Sequence, residues 1–139
     1  MKALWKRLSQ VHRLSLHSQS GMSGSGQVKV KTGLKSLIFV ESGEWSHPVN
    51  ISFYNILRWK VDFSTSLISL EHLRFGSSQP VFLFHLKTVG PHIFQSLNSH
   101  VCKNDCYSAR IEMSEHHLNF IWDISGPRKK ETLFYSYES

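Results

Sequence analysis

Cysteine is nearly absent from this 139-residue chain: Cys102 and Cys106 are its two thiols. So close a pair supplies no disulfide framework, so stability must come from a packed core, and a reducing, cytoplasmic setting is expected. Long hydrophobic runs are also missing. The longest, Pro80 to Leu86, is strand-sized and far short of the roughly 18 apolar residues that cross a bilayer as a helix. No membrane span is therefore expected. The first ten residues, MKALWKRLSQ, lack the unbroken apolar segment of a secretory signal, because Lys6 and Arg7 interrupt it. They read as a short amphipathic helical turn that packs Leu4, Trp5 and Leu8 on the body, ahead of a weak mitochondrial presequence. Acid is missing from the first third. Seven Lys and Arg residues precede Glu41 with no Asp or Glu among them, whereas nine face ten acids from Glu41 onward. This basic third reads as a solvated face before it reads as a surface for anionic partners.

What the chain does have is apolar surface. Hydrophobic residues make up 40% of it and aromatics 12%, while charge, at 19%, is too sparse for a disordered polymer. The length fits one domain over residues 1–139. No repeat appears, and the low-complexity stretch from His17 to Gly26 reads as a mobile loop between the first two strands. Elsewhere period-two patterns follow one another. Leu34, Ser36, Ile38 and Val40 oppose Leu37, Phe39 and Glu41. Phe53, Asn55, Leu57, Trp59, Val61 and Phe63 share one face. Tyr107, Ala109, Ile111 and Met113 alternate with polar residues before the Ser114 to His117 turn. Leu118, Phe120, Trp122 and Ile124 return, Gly126-Pro127 turns again, and Leu133, Tyr135 and Tyr137 close the chain.

Consecutive hairpins, each with one apolar face, must hide that face and their edges, and closing the sheet does both. The pattern predicts an all-β, antiparallel, up-and-down barrel of about eight to ten strands. A short N-terminal helical turn and a short helix or plug near 91–99 complete the expectation. Polar residues on inward faces would mark a pocket: Asn55, Trp59, His72 and Arg74 (on the face of Ile68 and Leu70), His85 (with Val81 and Leu83), Tyr107, Trp122, Tyr135 and Tyr137.

Three pieces of the sequence resemble a known pattern. They are His100-Val-Cys102-Lys-Asn-Asp105-Cys-Tyr107, then Trp122-Asp-Ile-Ser-Gly126-Pro127-Arg128-Lys129, then Tyr137. The run is similar to H-x-C-x-x-D-x-Y, W-x-V-x-G-P-R-K and a closing Y of the domain-of-unknown-function family number 6314, with Ile124 at the V position. The sequence departs from it at Lys130 and Glu131, where an acid and an aromatic are usual. The resemblance implies a lipocalin-like (calycin-like) barrel and supplies no activity.

Two groups carry candidate chemistry. His100, Cys102, Asp105 and Tyr107 are the candidate catalytic set, with His100 as the group that would favour a Cys102 thiolate. No orienting third group accompanies them. Zinc is set aside, because Cys106 and Tyr107 point to opposite faces and His116 and His117 make a poor second ligand pair. The turn cations Arg128 and Lys129 suit an anionic group at a barrel rim. The leading expectation is therefore a barrel that binds one small, partly apolar, anionic ligand. The residues named for it are Asn55, Trp59, His72, Arg74, His85, Tyr107, Trp122, Arg128, Lys129 and Tyr135. A lipocalin-like enzyme built on the His100 cluster is one alternative. A single-stranded nucleic-acid binder using the basic third is another, and it is disfavoured because the aromatics are not interleaved with the lysines. No metal or cofactor is expected, and monomer and homodimer remain equally open.

Overall fold

A computed structural model describes residues 1–97, 100–102, 105–127 and 130–139, with backbone alone for 100–102 and 105. One helix, α1 (Lys2–Ser9), precedes eleven strands. These are β1 (Arg13–Ser18), β2 (Ser23–Gly33), β3 (Ser36–His47), β4 (Ile51–Asp62), β5 (Leu67–His72), β6 (Val81–Gly90), β7 (Ile93–Ser96), β8 (His100–Cys102), β9 (Asp105–Met113), β10 (His117–Ser125) and β11 (Lys130–Glu138). All pairings are antiparallel, and each strand from β1 to β6 pairs with the next. β7 then pairs with β9, β9 with β10, β10 with β11, and β11 returns to β1. The result is a closed barrel of ten strands, with β8 added as a short hairpin arm on β9.

Closure follows from the alternation. Leu14 and Leu16, Leu37 and Phe39, Leu57, Trp59 and Val61, Ile68 and Leu70, Ala109 and Ile111, and Leu118 and Phe120 all bury their side chains in one core. Burial of each large side chain contributes about 1.5–3 kcal/mol. β2 and β3 approach closely where Gly26 of β2 lies directly opposite Gly43 of β3. A Cβ at Gly26 would sit 2.3 Å from the Ser42 carbonyl oxygen, and one at Gly43 would sit 2.2 Å from that of Ser25. Only glycine permits that approach, and the Phe53 ring covers the gap over Gly43.

The two ends of the barrel differ. The β2–β3, β4–β5, β6–β7 and β9–β10 turns gather at one end, together with both chain termini. Here α1 seals the core. Leu4 and Leu8 are fully buried, Met1 and Trp5 pack beside them, and Lys6 and Arg7 in the last turn favour the helix dipole. Arg7 ties the helix to this end, donating from Nε to Ser139 Oγ at 2.7 Å and from Nη1 to the Ser114 carbonyl at 2.7 Å. At the opposite end lie the β1–β2, β3–β4 and β5–β6 turns, the end of β10 and the start of β11.

Two expectations need correction. Residues 93–96 form strand β7 and complete the ring, so the short helix or plug near 91–99 is absent from its described part. Phe94 turns inward as a strand residue, opposite Ile111. The serine- and glycine-rich loop is shorter than expected, because Ser23 to Gly26 already belongs to β2 and pairs with both β1 and β3.

Candidate functional site

The inward-facing rows change character along the barrel axis. Nearest α1 the rows are dry. Towards the other end the same strands present half-exposed inward residues: Trp45, Phe53, Asn55, His72, Tyr107, Trp122, Ile124, Leu133 and Tyr135. The exposed apolar residues Val49, Ile51, Phe75 and Leu97 surround this mouth, with Val49 and Phe75 60% and 63% accessible. An apolar rim above an aromatic lining suits entry of an apolar molecule.

Beneath the mouth lies a belt of tilted and edge-on rings. Trp59 sits 5.7 Å from Phe39 and 5.5 Å from Phe120 between ring centres. Trp122 lies 5.0 Å from both Phe84 and Phe120 and 6.4 Å from Tyr135. Tyr137 completes the belt, 5.5 Å from Phe39 and 5.9 Å from Tyr135.

Glu41 is set into this belt. It occupies the inward face of β3, two residues past Phe39, between Val28 on β2 and Asn55 on β4. Its side chain has no accessible surface. The Tyr137 hydroxyl donates to Glu41 Oε2 at 2.5 Å, while Oε1 has no partner among the described residues. Burial pushes the Glu41 carboxyl up to about 7, against the opposing effect of the tyrosine hydrogen bond. Burial and the neighbouring Glu41 charge push the Tyr135 and Tyr137 hydroxyls well above the usual tyrosine range. Four further buried polar atoms also lack partners among the described residues: Trp59 Nε1, Trp122 Nε1 and His72 Nδ1 in this half of the barrel, and Arg7 Nη2 at the α1 end. Each such group costs about 1–3 kcal/mol when left unmade, so a cluster of them in one region calls for a function. Burial, then the charge of Arg74, holds the His72 imidazole below the usual histidine value.

Of the residues singled out from sequence, Asn55, Trp59, His72, Tyr107, Trp122 and Tyr135 do converge on this interior, and Tyr137 joins them. Two do not. His85 faces outward and bonds Ser69 Oγ through Nδ1 at 2.9 Å, because Phe84 and Leu86 pair with Leu70 and Ile68 and take the inner face. Arg74 is exposed, its guanidinium 5.8 Å from the centre of the Phe75 ring. The strand stops at His72, so alternation no longer governs Arg74. The side chains of His100, Cys102 and Asp105, and the whole of Arg128 and Lys129, lie outside the described residues. The β8–β9 register sets His100 opposite Tyr107 and Cys102 opposite Asp105, at the mouth end. Sequence reasoning missed Glu41 as a site residue, although its signal was visible as an acid on the face of Leu37 and Phe39.

A family model described as a family of unknown function, DUF6314, matches residues 1–139. The chain belongs to that family. No curated protein matches it. Among solved structures it is similar to two redesigned β barrels, mFAP1 and mFAP0, each bound to DFHBI. Both superpose with a TM-score of 0.51, at 11% and 10% identity, covering 96% and 93% of this chain and 99% and 95% of theirs. At that identity the likeness concerns the fold alone, and it agrees with the lipocalin-like barrel that the family resemblance implied.

Proposed function

We propose that this DUF6314 barrel binds one small, largely apolar organic molecule in its half-exposed end. The observation that carries the reading is the set of unpartnered buried polar atoms, Glu41 Oε1, Trp59 Nε1, Trp122 Nε1 and His72 Nδ1, beneath an apolar, aromatic mouth. Barrels of about this strand number hold a single small ligand when their interior is not filled. The similar barrels mFAP1 and mFAP0 were solved with DFHBI bound, which supports the capacity of such a fold. The cations named for an anionic end, Arg128 and Lys129, lie outside the described residues, and Arg74 points to solvent.

Native mass spectrometry of the freshly purified full chain, paired with titration of the neutral apolar dye Nile red, tests the reading. A retained small molecule released on denaturation, or saturable dye binding at one site per chain, is the expected result. A bare chain that also shows no saturable dye binding would refute the proposal.

A further inference from the structure

Resting on that reading, we infer that the molecule taken up carries a cationic amine, received by Glu41 within the aromatic belt. Inward-facing charge decides the sign. Among the described residues the basic side chains of the barrel wall point outward. Arg58 pairs with Glu71 at 2.7 Å, Lys60 reaches the same carboxylate at 3.4 Å, and Arg110 pairs with Glu112 at 3.0 Å. Among the described residues the inward-facing titratable groups are Glu41, His72, Tyr107, Tyr135 and Tyr137, with Glu131 at the rim, where its Oε1 accepts the Ser20 amide. Of these, Glu41 alone is a buried acid, and one of its oxygens is uncommitted.

The wall around Glu41 suits the same class. Ammonium groups are attracted to the faces of Trp and Tyr, more strongly when water is excluded. Trp59, Trp122, Tyr135 and Tyr137 present such rings, and Tyr137 is hydrogen-bonded to the acid itself. An N–H of the amine would satisfy Glu41 Oε1, and its charge would offset the cost of ionising a buried carboxyl. A carboxylate ligand would meet the reverse: a second acid beside Glu41 and no described cation to pair with. Binding of an amine draws the Glu41 proton off, so affinity rises as the pH passes upward through about 7.

The test compares two probes of similar length and apolar content, N,N-dimethyl-3-phenylpropylamine and 4-phenylbutyrate, each displacing Nile red from the full chain. The amine is expected to compete about tenfold more strongly than the carboxylate at pH near 8, and to lose most of that advantage near pH 5.5. In Glu41→Gln the preference and its pH dependence should both vanish, read as the ratio of the two probes' competition whatever the variant's own affinity for Nile red. If that variant does not fold, the probe preference of the unmodified chain and its pH profile decide alone. Equal or stronger competition by 4-phenylbutyrate overturns the cationic assignment and leaves ligand binding standing. Absence of Nile red binding together with a bare chain in native mass spectrometry removes both readings, and a retained molecule that carries no amine overturns the cationic assignment alone.

Discussion

Replacing Glu41 with Gln should make the protein more stable at alkaline pH and leave it nearly unchanged at acid pH. The side chain keeps its shape and can still accept from the Tyr137 hydroxyl, but it can no longer ionise. A carboxyl raised from 4.5 to about 7 binds its proton more tightly folded than unfolded. Its cost is therefore small below the unfolded value, grows as pH rises between the two, and is constant above the folded one. At about 1.4 kcal/mol per pH unit the full cost is about 3 kcal/mol, most of it developing between about pH 5 and pH 8. That is a large share of the roughly 5–15 kcal/mol that holds a domain folded. Histidines titrate in the same window. His72, lowered by burial and by Arg74, acts oppositely, its contribution present above the ordinary histidine value and lost as pH falls. The difference between the two proteins cancels those terms. Urea unfolding of both chains across this range is the assay. Parallel stability curves, with no divergence above pH 6, would refute the account of Glu41.

Tyr137→Phe should cost about 1–3 kcal/mol, because it leaves both Glu41 oxygens unpaired. Burial without the hydrogen bond should also move the bend in the stability–pH curve upward, read from the same urea series. Gly26→Ala should destabilise by about 2–4 kcal/mol or prevent closure, since its Cβ would meet the Ser42 carbonyl at 2.3 Å. Thermal unfolding followed by circular dichroism reads this, and an unchanged midpoint would show that the β2–β3 contact has slack.

Much of the barrel was legible because one physical rule, alternation, governs every strand with one wet face. From Phe53 to Val61, from Tyr107 to Met113 and from Leu118 to Ile124 the alternation held. It failed where residues of both parities are apolar. In Val81-Phe-Leu-Phe-His-Leu86 either face could turn inward, and pairing with Ile68 and Leu70 chose Phe84 and Leu86. The β5 register shift beside Glu71 adds to the ambiguity. Strand β7 was missed because a four-residue strand is too short to show a period. The aromatic half of the candidate site was readable as polar-edged rings on apolar faces. Its acid was not singled out, because Glu41 borders the Ser42-Gly43 break and reads from sequence as the end of a strand. The strand in fact continues to His47, which carries Glu41 to mid-barrel.

The arrangement of the chain ends has a practical consequence. Met1 leads into the helix beneath the core, and Ser139 is bonded to Arg7 of that same helix. Both ends therefore emerge at one pole, and the aromatic entrance faces away from them. A label, surface tether or fused reporter attached at either end would stand behind the cup and leave its opening presented to solution.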